Sequence, residues 1–272
     1  MRRQDAGAVG LRRRRPAAFT VVAWVLGLVV LVFLAAPLVS LVARTGLEDL
    51  AQTAREADVR DALVVTLEAA LLATGLAAIG GVPLAYLLAR RSFAGKRLVE
   101  AVIDLPIVFP HTAAGIALLL VFGRTGVLGG AFAHLGLTFT DTLAGITVAM
   151  LFVSLPFLVD TAREAFALVD ARYEQLARTL GASPGVAFTR VALPLAGRGV
   201  LAGALLMWAR GMSEFGAVVI LAYNPKTVPV LVFERFEGFG LEAAQPVALL
   251  IVLVALAVFI AVRLVLGNRS SP

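Results

Sequence analysis

The sequence predicts an all-α, polytopic membrane protein with about six transmembrane helices and both termini in the cytoplasm. Three observations carry that prediction. Of the 272 residues, 60% are hydrophobic and only 15% are charged, whereas a soluble domain has about half and about a quarter. Several apolar stretches exceed the ~18 residues that mark a membrane-spanning helix. Lys and Arg also gather in alternate connecting segments, as the positive-inside rule requires of a multi-pass protein. Too little polar sequence remains to cover a soluble core.

The elements follow in chain order. Segment 1–18 is basic and is expected in the cytoplasm. The apolar run 19–42 is longer than the roughly 7–15-residue core of a secretory signal, so it reads as an uncleaved first span. The connector "TGLEDLAQTAREADVRDA" is acidic and reads as an amphipathic helical segment outside. Residues 62–89 form a long second span that extends beyond the lipid. The third span, 98–122, contains Pro106 and Pro110, which force a break or kink by removing helix hydrogen bonds. Such a break is tolerated in lipid where it packs in protein or faces a water-filled cavity. It therefore marks either a packing kink or part of a translocation path. The fourth span, 143–159, is short and should continue as helix into the cytoplasm. Spans five and six are placed at 199–222 and 246–266. Residues 19–267 thus form one transmembrane domain with an inner loop at 160–198, followed by a cytoplasmic tail at 268–272.

Orientation rests on the basic residues. Arg2, Arg3, Arg12 to Arg15, Arg90, Arg91, Lys96, Arg97, Arg163, Arg172, Arg178, Arg190, Arg198, Arg263 and Arg269 all fall on one side. The opposite side holds Arg44, Arg55, Arg60, Arg124, Lys226 and Arg235. The net charge of +6 is thereby explained by topology and not by a nucleic-acid partner.

Several chemistries are excluded. Without Cys there are no disulfides, thiolate metal sites or thiol nucleophiles. The two histidines, His111 and His134, form no HExxH motif, and no Gly-x-Ser-x-Gly elbow occurs. An intramembrane protease is therefore disfavoured. "FAGKRL" lacks the upstream Gly and the hydroxyl of a phosphate-binding loop, so the chain is expected to be a non-enzymatic subunit that does not itself bind ATP. A secondary transporter would need intramembrane carboxylates, and Glu68, Asp104 and Glu214 are available for one.

The inner loop carries the most informative stretch, "YEQLARTLGASPGVAFTRVALP". It reads as a helix, a Gly-Ala-Ser-Pro-Gly corner, a second helix and a Leu-Pro stop. Gly181 suits a helix C-terminus with positive φ. Ser183 suits an N-cap and Pro184 the first helical position. Leu176, Leu180, Val186 and Phe188 are candidates for an apolar face. The pattern resembles the cytoplasmic signature of ABC importer permeases, in which Glu-Ala-Ala, three residues, Gly and nine residues precede Ile-x-Leu-Pro. Nine residues separate Gly181 from Val191, and Leu193 and Pro194 complete the pattern. Gln175, Leu176 and Ala177 occupy the Glu-Ala-Ala positions, with the acidic residue one place early at Glu174. The resemblance implies a type I ABC importer permease fold and a coupling elbow for an ATPase subunit. Glu174, Gln175, Ala177, Gly181, Ala182, Ser183, Pro184, Leu193 and Pro194 are its expected coupling residues.

Two further stretches narrow the family. "DLPIVFPHTAAGIALLLVFGRTGVLG" and "MWARGMSEFGAVVILAYNPKTVPVL" resemble permease subunits of molybdate/tungstate ABC transporters, notably at Pro110, His111, Thr112 and Gly115 and from Ser213 to Pro225. Sulfate/thiosulfate permeases are the alternative. Arg210 and Glu214 are four residues apart and share a helix face. Arg210 lies ~18 Å along a helix from Arg198, near mid-membrane, where charges face a partner or a cavity. A mutual ion pair and direct substrate contact are both open. His111, Thr112, Ser213 and Asn224 are candidates for lining a path, because hydroxyl, amide and imidazole donors replace water around an oxyanion. What the resemblance implies about partners is two ATPase subunits that hold ATP and Mg, an external oxyanion-binding protein, and a homodimer in the cytoplasmic membrane. No cofactor is expected in this chain.

Overall fold

A computed structural model describes the backbone of residues 18–267 and the side chains of residues 19–260. The expected cytoplasmic tail, and the N-terminal segment apart from Ala18, lie outside the described residues. The chain divides into two compact units. The first contains one long helix, α1 (Ala18–Arg44), about 40 Å long by the rise per residue. It agrees with the predicted first span. Its side chains are apolar on every face, as lipid requires of a spanning helix, and Arg44 sits in its last turn, where the helix dipole favours a cation.

The second unit begins with α2 (Leu47–Thr53) and α3 (Ala57–Arg90). The acidic connector is therefore helical, as predicted, and α3 spans about 51 Å at ~1.5 Å per residue. Its Ala69, Ala70, Ala73 and Ala77 recur at helical spacing on the buried face. They pack in one core with α7 (Leu143–Leu168) and α10 (Leu193–Met212). Small side chains let helices approach closely in lipid, where packing drives association. Thr142 starts α7, its hydroxyl accepting from the Gly145 N–H at 3.2 Å. The helix then runs on past the predicted end of the fourth span to Leu168, so the expected helical continuation is present.

The break expected in the third span is present, and two other boundaries differ from expectation. α4 (Lys96–Val108) and α5 (His111–Phe122) meet at an angle of 117°. Phe109, extended before Pro110, turns the chain there, because proline disfavours helical backbone at the preceding residue. Pro106 lies inside α4 without ending it. The fifth span is shifted. Helix is continuous from Pro184 to Met212, and a separate α11 (Gly216–Leu221) follows the break at residues 213–215. The Leu-Pro pair is not a stop. A single widened turn, in which the Leu193 N–H donates to the Phe188 carbonyl, precedes Pro194, and such a turn lets a helix absorb a residue that cannot donate.

Short α6 (Gly129–His134) and α12 (Val228–Phe239) were not anticipated. The N–H of Val228, in the first turn of α12, donates to the buried Thr66 hydroxyl at 2.9 Å. Arg235 of α12 reaches Glu56 and Asp58 at the start of α3. The last helix, α13 (Leu241–Gly267), begins before the predicted sixth span. Among the described residues, five helices are long and apolar enough to cross a membrane, or six with the bent α4–α5 pair counted as one span.

Candidate functional site

Two groups of predicted residues occupy separate parts of the second unit. The first is the elbow. α8 (Arg172–Thr179) starts where Asp170 accepts from the Arg172 N–H at 2.9 Å. It ends in a paired cap: the Gly181 N–H donates to the Arg178 carbonyl and the Ala182 N–H to the Ala177 carbonyl, each at 3.0 Å. This cap needs a left-handed residue, and Gly181 has φ +93°. Ser183 then caps α9 (Pro184–Ala187), its hydroxyl accepting from the Val186 N–H at 3.4 Å, with Pro184 in the first turn. The corner is thus fixed by backbone chemistry at the four positions the sequence singled out: Gly181, Ala182, Ser183 and Pro184.

The elbow's predicted apolar face divides. Leu176 and Leu180 are 62% and 82% exposed and point away from the core. Phe188 turns inward, with ring centroids 4.8 Å from Tyr86 and 6.0 Å from Phe166. Gln175 is exposed beside Leu176 and Tyr173. Glu174 is only 7% exposed. One of its oxygens accepts from Arg90 Nε at 2.8 Å and the other from the Tyr86 hydroxyl at 2.5 Å. Leu193 and Pro194 lie beyond the corner, at the start of α10.

The second group gathers where α10 breaks. Arg210, near the end of α10, donates to Glu214 Oε2 at 3.0 Å and contacts His111 Nε2 at 2.9 Å. His111 Nδ1 lies 3.3 Å from the same Glu214 oxygen. Arg210 Nη2 also lies 3.3 Å from His111 Nδ1, so the guanidinium sits across both ring nitrogens. The second Glu214 oxygen accepts from the Ala217 N–H at 2.9 Å, capping α11. Ser213 donates to the Arg210 carbonyl at 2.9 Å and faces Arg210 Nη1 at 3.3 Å.

Close packing of α5 on α11 makes this possible. A Cβ on Gly216 would stand 2.7 Å from His111 Cβ, and one on Gly115 would stand 2.7 Å from Ile220 Cβ. Arg210 and Glu214 pair with each other, and Glu214 is 1% exposed. His111, Thr112 and Ser213 are exposed. Asn224 stands apart. Its backbone N–H donates to Asp141 at 3.3 Å, and among the described residues no hydrogen bond joins it to the cluster.

Sequence reasoning missed Tyr86, Arg90 and the Val169 carbonyl, which accepts from Arg90 Nη2 at 2.8 Å. Their partners lie roughly eighty residues away in the chain, beyond the reach of any local pattern. The one available signal was Arg90 in the last turn of α3, on the same predicted side as Glu174.

Comparison with known proteins places this geometry. The family of binding-protein-dependent transport system inner membrane components matches residues 81–268. The molybdate/tungstate transport system permease protein of Pyrococcus abyssi is 39% identical over 90% of this chain and 95% of its own length. A probable sulfate transport system permease protein of Chlorokybus atmophyticus is 36% identical over 86% and 84%. Among solved structures, a bacterial ABC transporter that imports the acidic polysaccharide alginate superposes with a TM-score of 0.70, at 15% identity, over 93% of this chain and 96% of its own. The match covers most of the chain, elbow and broken helices included, and the chain belongs to the binding-protein-dependent transport system inner membrane components, the multi-pass permease subunits of ABC importers.

Proposed function

We propose that the chain carries a tetrahedral oxyanion, molybdate or tungstate, across the cytoplasmic membrane, driven by a separate ATPase subunit. The observation that carries the substrate is the identity to molybdate/tungstate permeases over nine-tenths of the chain. The Gly181–Pro184 corner supports the drive, because a rigid two-helix lever transmits displacement that a loop would absorb. Two ATPase subunits hold ATP and Mg, an external binding protein delivers the anion, and two copies of this chain enclose the path. Gln175, Ala177, Gly181, Ala182, Ser183 and Pro184 shape or face the docking surface. His111, Thr112 and Ser213 offer donors along the path, and Arg210 and Glu214 hold its broken helices together. An Arg210–Glu214 ion pair that balances its own charge suits passage, since a tight anion site would slow release.

The test is uptake by cells producing the permease, its ATPase and its binding protein. Tungstate and molybdate should accumulate in an ATP-dependent way, and excess sulfate should not compete. Competition by sulfate at equal concentration would favour the second reading, a sulfate permease, which the 36% relative supports. Uptake surviving ATP depletion but not an uncoupler would assign the chain to secondary transport.

A further inference from the structure

We propose that Tyr86, Arg90 and Glu174 form a clamp that fixes the coupling elbow to the inner end of α3, so that a push on the elbow moves α3 and α10 together. The proposal rests on reading residues 172–194 as the ATPase-driven lever. It assigns Glu174, the displaced acidic residue of the signature, to the inside of the protein.

Both Glu174 oxygens are taken. Arg90 Nε donates to one and the Tyr86 hydroxyl to the other. A carboxylate 7% exposed with both oxygens engaged has little left for a docking partner. Arg90 does more than pair. Its Nη2 donates to the carbonyl of Val169 at 2.8 Å, and Val169 is the extended residue that ends α7. Residues 169–171 separate α7 from α8 and are where a push on α8 would be lost as bending. One guanidinium therefore holds both the hinge carbonyl and the first turn of the helix beyond it, and its planar fork suits two acceptors at fixed geometry. Tyr86 adds a third support, with ring centroids 5.4 Å from Phe166 of α7 and 4.8 Å from Phe188 in the widened turn.

The other arm of the elbow needs no clamp, because helix is continuous from Pro184 to Met212. The lever thus has two attachments, a covalent helix to α10 and a polar clamp to α3. Charge-assisted hydrogen bonds are the strong ones, and a fully satisfied buried network fixes a single geometry.

The test uses the complete complex in proteoliposomes and measures oxyanions imported per ATP hydrolysed. Glu174→Gln and Arg90→Lys should copurify the ATPase subunit and keep hydrolysing ATP, while ions imported per ATP fall several-fold. Tyr86→Phe should show a smaller loss. E174R and R90E should each uncouple, and together restore part of the ratio. An unchanged ratio in both Glu174→Gln and Arg90→Lys would overturn the clamp. So would loss of the ATPase subunit in Glu174→Gln, which would return Glu174 to the docking surface. Failure of the unmodified permease to copurify an ATPase would instead sink the lever reading. The clamp is then read directly on purified permease, which has no native cysteine. Spin labels at Arg91→Cys and Gln175→Cys should give a narrow distance distribution that broadens with Glu174→Gln. A broad distribution in the parent would count against the clamp.

Discussion

Two buried glutamates, each held by an arginine, divide the molecule's machinery between them. Glu174 pairs with Arg90 across 84 positions of sequence, and Glu214 pairs with Arg210 across four. The first pair ties a surface elbow to the end of a neighbouring helix. The second stitches a helix break, because Glu214 accepts from Arg210 on one side and caps α11 through Ala217 on the other. The difference teaches where rigidity is made. At the elbow it comes from contacts between distant elements, and the chain's own turn at residues 169–171 is the weak point. At the break it comes from neighbours in sequence, with His111 of α5 added from outside.

The sharpest way to break the comparison is to remove each acid. Glu214→Ala leaves Arg210 without a carboxylate inside the membrane-spanning region and strips the cap from α11. Removing one partner of a buried pair costs about 3–5 kcal/mol, so the purified permease should lose most of its margin against heat in detergent. Glu174→Ala should cost less, about 1.5–3 kcal/mol as for hydrogen bonds to charged groups, because Arg90 keeps its hydrogen bond to the Val169 carbonyl and no helix cap is lost with Glu174. Equal shifts in melting temperature for the two variants would erase the distinction.

The next test widens the break without touching its charges. A Cβ at Gly115 would meet Ile220 Cβ at 2.7 Å and the Ala217 backbone at 3.0 Å. Gly115→Val should therefore push α5 off α11 and draw His111 from Glu214. Overpacking of this kind costs about 1–3 kcal/mol. A melting temperature as high as the parent's would mean that α5 and α11 are not locked together.

How far these regions were legible follows from the same contrast. The Arg210–Glu214 pair was readable because helical spacing puts residues i and i+4 on one face, and the pairing survives although the helix ends between them. The corner was readable residue by residue, since Gly181, Ser183 and Pro184 each satisfy a backbone rule that acts over four positions. The spans were readable because lipid demands about 20 apolar residues wherever a helix crosses. What escaped depended on distance or on local compensation. Glu174 carries the same charge whether it faces a partner protein or Arg90, and nothing near it in sequence distinguishes the two. Pro106 and Pro110 both promised a break, yet only Pro110 makes one, while Pro106 is carried inside α4. Pro194 reads as a stop, and the widened turn before it removes the conflict.

The mildest predicted change tests whether the elbow's corner is built by the same local rules. Ser183 accepts from the Val186 N–H at 3.4 Å, a long bond on an exposed surface, and Pro184 already presets the first helical φ. Ser183→Ala should therefore lie at the low end of N-cap losses, about 0.5–1 kcal/mol. Confined to one turn, that cost would scarcely register in a melting curve. It should appear as a local speeding of amide hydrogen exchange at residues 185–187, about 2- to 5-fold for that energy, with the amides of α8 unchanged. Faster exchange throughout 172–187 would mean that the two arms of the elbow open as one unit and that its stiffness depends on the corner more than on the Arg90–Glu174 bond.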